Sequence, residues 1–256
     1  MIANYHTHTP LCRHAVGDGR SYIENAIRRG LKVFGFSDHT PQWFPGSYYS
    51  RMRMYPDQLP EYCTAVRNFQ SEYAGQLEIP LGLEAEYYPS VFPELLSRLR
   101  DQGIDYLLLG QHWIGNEIGE PYCGTPTDDE SVLRRYCDQT VAAMETGLFT
   151  YLAHPDLINF TGDRHIYEAH MRRLCRAAKD TGTPLEINLL GIAENRNYPN
   201  MRLWELAAEE ACQVVLGIDV HRPEHILDPV PEEKALQIAA HFGLTPLQTV
   251  PLKKIG

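Results

Sequence analysis

Residues 214–221 read VVLGIDVH, a short apolar run that stops at a carboxylate and an imidazole two positions apart. The same arrangement recurs along the chain. DYLLLGQH (105–112) ends at His112, FTYLAH (149–154) at His154, PLGLE (80–84) at Glu84, VFGFSDH (33–39) at His39, and NYHTH (4–8) at His6 and His8. Ligand-type residues this scattered converge only if a fold brings every run end to one face. A parallel barrel does so, because its C-terminal strand ends and the loops after them form a single face.

Between these runs lie helical stretches. The pattern predicts strands near 2–6, 32–37, 79–84, 105–110, 149–153, 184–188 and 214–218. Short β-branched and aromatic runs bounded by breakers suit buried parallel strands. Helices are predicted over 22–29 (capped by Ser21, stopped by Gly30), 58–74 (opened by Asp57), 91–102 (Ser90, Pro93 in the first turn, Gly103), 128–146 (Thr127, Gly147), 164–181 (Asp163, Gly182), 200–211 and 231–242. Seven alternations give an α/β chain folded as a (β/α)7-like barrel, one domain over 1–256. A doubly wound open sheet shares the alternation but gathers its site at one switch point, whereas here six run ends carry ligands. The longest irregular stretches, 40–56 and 114–126, each follow a ligand-bearing run and are expected to rim a pocket.

Composition narrows the class. The 256 residues are 43% hydrophobic, enough for a full core, with a net charge of -10. That charge argues against a non-specific nucleic-acid binder, which needs clustered Lys and Arg. An acidic protein still binds a small phosphate ester where metals and a few arginines dominate locally. No apolar run is long enough to span a membrane, and MIANYHTH lacks the features of a signal peptide, so a cytoplasmic protein is expected. The six cysteines form no CxxC pair and read as free thiols in a reducing compartment; Cys12, between His8 and His14, is the one near the ligands.

Seven of the eleven histidines sit at or just beyond run ends, which chance explains poorly. In an extended segment, residues two apart face one way, so His6 with His8, and Asp219 with His221, can each chelate one ion. Pro10 helps the chain turn so that His14 folds back. Glu84 at its run end can bridge two cations, with Glu86 as an alternate better suited to a supporting role. His6, His8, His14, His39, Glu84, His112, His154, Asp219 and His221 are too many for one zinc, which takes about four ligands, but suffice for two or three divalent ions. Mixed imidazole and carboxylate ligands suit Zn, Mn or Fe. His165, His170, His225 and His241 fall on helices or outer loops and read as structural or surface residues.

The ordered set HTHTPLCRH, FSDHTP, GLEAEY, LLGQHW, AHPDLINF, LEINLLG and GIDVHRP resembles the PHP (polymerase and histidinol phosphatase) superfamily along the whole chain. AHPDLINF and the Pro-Leu-Cys turn are most similar to its histidinol phosphatase branch. The resemblance implies a distorted (β/α)7 barrel with a trinuclear metal site at the C-terminal strand ends. By motif, His6, His8, Glu84 and Asp219 would hold the first ion, Glu84, His112 and His154 the second, and His14, His39 and His221 the third. Ile218 and Gln111 depart from the branch, where smaller residues are usual, and bear on pocket shape.

The implied activity is hydrolysis of L-histidinol phosphate to L-histidinol and phosphate, a step of histidine biosynthesis. A metal cluster would acidify a bound water and make hydroxide available for in-line attack on phosphorus. Arg196, in the loop after the sixth alternation, and Arg222, beside His221, are the candidate phosphate-binding arginines, the resemblance favouring Arg196. Metal-bound water or an acid such as Asp219 is the candidate proton donor to the leaving alkoxide, and Glu84 a bridging catalytic carboxylate. Glu186, Asp156 and Glu86 could meet a substrate ammonium, and Trp43, Tyr48 and Tyr49 could cover an imidazole. The alternatives are another small phosphate ester or nucleotide, or a non-catalytic metal-binding module. An amidohydrolase-like site would want a Lys at a strand end, and Lys32 opens its strand instead. The expected partner is a small-molecule phosphate ester, with no nucleic acid or membrane; the oligomeric state stays open.

Overall fold

The computed structural model describes residues 1–255. Its parallel strands are β1 (Ala3–Asn4), β2 (Val33–Phe34), β3 (Phe36–His39), β4 (Leu81–Ala85), β5 (Tyr106–Leu109), β6 (Phe149–Leu152), β7 (Leu185–Asn188) and β8 (Val214–Gly217). The helices between and after them are α1 (Gly19–Arg29), α2 (Leu59–Glu72), α3 (Phe92–Leu99), α4 (Glu130–Glu145), α5 (Arg164–Asp180), α6 (Leu189–Ala193), α7 (Met201–Glu209) and α8 (Val230–His241). Strands β3 to β8 pair in sequence order, and β1 pairs with β2.

The single strand expected over 32–37 is interrupted at Gly35. Tyr106 packs its hydroxyl against this break, 2.6 Å from Tyr5 O and 3.1 Å from Phe36 O. Any Cβ at Gly35 would overlap that hydroxyl. Counting β2 and β3 as one broken strand leaves the expected seven positions. The segment after β1 closes the ring irregularly. On one side Ser37 N–H donates to Thr7 O (2.8 Å); on the other His8 N–H donates to Val220 O (2.9 Å) and Val220 N–H to His6 O (3.1 Å). The result is a distorted (β/α)7 barrel.

Strand alternation explains both layers of core. Leu107, Leu109, Leu185, Ile187, Val214 and Leu216 point outward into the apolar cluster beneath the helices. Tyr5, Tyr106, Leu108, Tyr151 and Val215 point inward and fill the barrel. Such a buried leucine, truncated to alanine, costs about 2–5 kcal/mol. The same alternation turns Glu84 on β4 and Glu186 with Asn188 on β7 inward, where all three are buried.

Helix starts differ from the sequence reading where a better cap lies nearby. Asp18, not Ser21, caps α1: its carboxylate accepts from Ser21 N–H (3.0 Å) and from the Ser21 hydroxyl (2.8 Å). Asp129, not Thr127, caps α4. Asp163 caps α5 as expected, and Gly30 ends α1 at φ 86°, a conformation glycine adopts without Cβ strain. All six cysteines are free and buried. Among the described residues no helix is long and apolar enough to cross a membrane.

Candidate metal centre

Each ligand-type residue named from the sequence arrives at the C-terminal mouth of the barrel. His39 ends β3 and Glu84 lies on β4, while His112, His154 and Asp219 follow β5, β6 and β8 closely. His14 reaches the group through a turn. Thr9 caps the short helical turn Pro10–Cys12, and Arg13 at φ 69° reverses the chain. The His14 ring then lies 4.7 Å from that of His221 and 5.4 Å from that of His39.

Glu84 is the centre of the arrangement. Its Oε2 lies 3.0 Å from His39 Nδ1 and 3.5 Å from the Nε2 atoms of both His6 and His8. Its Oε1 faces the opposite group, 2.9 Å from His154 Nε2 and 3.6 Å from His112 Nε2. Asp219 Oδ1 lies 3.2 Å from His8 Nε2, 3.5 Å from His6 Nε2 and 3.3 Å from His221 Nδ1. Donor atoms of His6, His8 and Asp219 fall within 4.8 Å of one another, as do those of His14, His39 and His221, and those of His8, His39 and Glu84. Cys12 Sγ lies in the same range of donor atoms from His8 and His221.

Two local features make room for this packing. His154 (φ 30°) and Asp219 (φ 58°) hold left-handed backbone conformations that non-glycine residues rarely adopt and that concentrate at functional sites. The strand alternation assumed for Asp219 and His221 therefore does not operate, since β8 ends at Gly217 and the turn itself aims both side chains. At Gly110 a Cβ would overlap the Glu84 carboxylate, and at Gly217 it would overlap that of Glu186. Both glycines give their space to a buried acid.

The outer nitrogens of several rings are held by partners, among them Glu86 in the supporting role expected of it and Glu186, which was expected nearer a substrate. Glu186 Oε1 lies 2.9 Å from His6 Nδ1, and its Oε2 accepts from the His154 backbone N–H (3.0 Å) and from Asn188 Nδ2 (2.9 Å). Glu86 Oε1 lies 3.0 Å from His112 Nδ1. His14 Nδ1 donates to Cys12 O (2.9 Å) and His221 Nδ1 to Asp219 O (3.0 Å). Such partners fix the ring tautomer and leave the other nitrogen free to ligate.

Charge in the cluster is polarised. Burial, the largest influence, favours neutral His6 and His8, but Asp219, Glu186 and Glu84 hold His6 well above its ordinary value. Asp219, Asp38 and Glu84 raise His8 to about 9. Burial likewise opposes ionisation of Glu84 and Asp219, yet the surrounding imidazoles keep both carboxyls well below the usual range. At the rim, burial and the neighbouring His221 and His8 lower His14 to about 4.

The residues present fit divalent cations. His6 Nε2, His39 Nδ1, Glu84 Oε2 and Asp219 Oδ1 are buried and face one another, yet none makes a well-directed hydrogen bond. Unsatisfied buried polar atoms are costly and ordinarily rare. Their concentration around ionised carboxylates is what a cation-binding site requires.

The cluster floors a cavity of about 310 Å³. Beside the ligand-type residues, its walls include Arg51, Met52, Tyr122, Leu157, Arg196 and Tyr198. The 40–56 and 114–126 loops do rim it, as expected, but through residues other than those named. Trp43 packs against the core under Arg98, Tyr48 donates to Glu117 (2.8 Å) and Tyr49 stacks edge-on with Tyr55; none of the three lines the cavity. Arg196 lines it, whereas Arg222 is exposed outside it at the head of the short turn Pro223–Ile226. Arg51 was missed, because an arginine in a structureless loop carries no periodicity to place it. Glu186, Glu86 and Asp156 are buried and bonded within the protein, so they do not face a substrate ammonium. None of His165, His170, His225 and His241 lines this cavity.

Fold and cluster together define an α/β barrel with a carboxylate-centred, histidine-rich site at its mouth. The PHP domain family matches residues 4–189. A probable histidinol-phosphatase of Deinococcus radiodurans is 32% identical over 237 residues, covering 88% of each chain. Another from Schizosaccharomyces pombe is 26% identical over 256 residues, 88% of this chain and 82% of that protein. The crystal structure of histidinol phosphate phosphatase from Lactococcus lactis, complexed with zinc, L-histidinol and phosphate, superposes with a TM-score of 0.75 over 97% of this chain and 96% of that one. Its sequence identity is 21%, so this likeness concerns the fold. The chain belongs to the PHP domain family, in its histidinol-phosphatase branch.

Proposed function

We propose that this chain is a metal-dependent phosphomonoesterase that hydrolyses L-histidinol phosphate to L-histidinol and phosphate, working as one domain over 1–256. The observation that carries the reading is the set of unpartnered buried nitrogens and carboxylate oxygens around Glu84, on the floor of a cavity that also holds Arg196. Kinship with probable histidinol-phosphatases supports the substrate.

In this reading His6, His8, Glu84 and Asp219 hold one divalent ion, Glu84, His112 and His154 a second, and His14, His39 and His221 a third. Zinc suits the mixed imidazole and carboxylate donors, as do Mn and Fe. Bound ions supply Lewis acidity toward phosphoryl oxygens and lower the pKa of water. The protein's own groups do the rest. Glu84 serves both sides of the cluster with separate oxygens, which fixes the spacing of the groups around it. Arg196, bonded to Glu194 and Tyr198, keeps a second N–H on each terminal nitrogen for the phosphoryl oxygens. The neighbouring imidazoles favour an ionised Asp219, which suits a ligand role; the proton for the leaving alkoxide would come from metal-bound water or from this acid.

Turnover of L-histidinol phosphate by zinc-reconstituted protein, compared with sugar phosphates, nucleotides and p-nitrophenyl phosphate, tests the substrate. A strong preference for L-histidinol phosphate is expected. Equal, weak turnover of all esters would retain a phosphatase but remove the assigned substrate.

A further inference from the structure

We propose that Arg51 is a second phosphoryl-binding arginine, presented to the cavity by a buried ionic cluster around Arg53; this rests on the phosphatase reading. Two arginines line the cavity. Arg196 is partly occupied, with Nε and Nη2 on the Glu194 carboxylate (2.9 and 2.7 Å) and Nη1 on the Tyr198 hydroxyl (2.7 Å). Arg51 makes no ion pair within 4.0 Å among the described residues. Arg51 is an exposed side chain on the cavity wall, so its guanidinium is open to a phosphoryl group, whose oxygens it matches in charge and in geometry.

Two residues further on, Arg53 binds the buried acids Glu86 and Glu117. Arg53 is 2% exposed. Its two terminal nitrogens donate to both oxygens of Glu86 (2.7 and 2.9 Å), to Glu117 (2.6 Å) and to Thr40 O (3.2 Å). Glu86 also bonds His112 Nδ1, and Glu117 accepts from Tyr48. One buried guanidinium therefore ties the segment carrying Arg51 to the 114–126 loop and to a residue of the candidate metal centre. Arg53 and Glu117 are positioning residues; Arg51 touches the ligand.

Titrating inorganic phosphate into zinc-loaded wild type, Arg51→Ala, Glu117→Gln and the double variant tests this, since Glu117→Gln preserves shape where removal of Arg53 would strand two buried acids. The expected loss is about tenfold in phosphate affinity for Arg51→Ala and about three- to fivefold for Glu117→Gln, with the double variant no weaker than Arg51→Ala alone. Zinc content and unfolding temperature of Glu117→Gln stay near wild type. Wild-type affinity in Arg51→Ala, multiplying losses in the double variant, or no phosphate binding by the wild type would each overturn the proposal. Failure to hydrolyse L-histidinol phosphate would instead remove the substrate assignment, and the phosphate titration would still decide Arg51.

Discussion

Glu186 Oε1 sits 2.9 Å from His6 Nδ1 in a pair with no solvent exposure, and this contact turns His6 Nε2 toward Glu84 and Asp219. A carboxylate behind a ligating imidazole orients the ring and raises its basicity. Glu186→Gln keeps the shape and removes the charge. Zinc affinity, measured by competition with a chromophoric chelator, is expected to fall about 10- to 100-fold with the fold intact. Unchanged affinity would deny Glu186 this role.

Gly110 and Gly217 are expected to tolerate no side chain. Alanine at either must displace a buried carboxylate, Glu84 or Glu186. Overpacking of this kind costs about 1–3 kcal/mol. Urea denaturation should show that loss in Gly110→Ala and Gly217→Ala, together with reduced zinc content. Alanine at Gly75, where a Cβ meets nothing but φ is 78°, should lower stability without changing zinc content.

Most of the candidate ligand set was legible in the sequence because its members lie at or just beyond the ends of apolar runs, and run ends share a face in a parallel barrel; His14 joins them only through the turn after Pro10. Glu186 was legible in principle, since Leu185 and Ile187 point outward and alternation sends Glu186 in. It was assigned to substrate because residue type alone does not reveal a partner 180 positions away. The broken strand at Gly35, the left-handed turn at Asp219 and the Arg53 cluster depend on contacts between distant segments, which no local pattern encodes.

Zinc should stabilise the protein by occupying donors that are otherwise unsatisfied. Binding to the folded state alone adds about 2.7 kcal/mol at a free concentration 100 times Kd. The unfolding temperature is expected to rise with zinc and fall after chelation. That shift should shrink in Glu84→Gln, which weakens the shared carboxylate.

Helices α5 and α7 meet through surface ion pairs: Glu168 with Arg202 (2.7 Å), and Arg172 with Glu210 just past the end of α7 (2.7 Å). Hydrogen bonds from Arg202 and Arg164 lower the Glu168 carboxyl to about 2. A depressed folded-state pKa contributes stability that is present above the unfolded value, near 4.5, and is lost as pH falls through about 2. Glu168→Gln should therefore be less stable than wild type at pH 7 and low salt. The gap should close between those two pH values, and at 1 M salt, where screening reaches about 3 Å, it should narrow. A gap independent of pH would assign the loss to packing instead.

The most direct test of the central claim is phosphate release from L-histidinol phosphate by wild type and Glu84→Gln, each equilibrated with excess zinc. Wild type is expected to turn over, and Glu84→Gln to lose on the order of a thousandfold, because Glu84 serves both halves of the cluster. Equal rates for the two proteins would contradict a reaction centred on the Glu84 cluster.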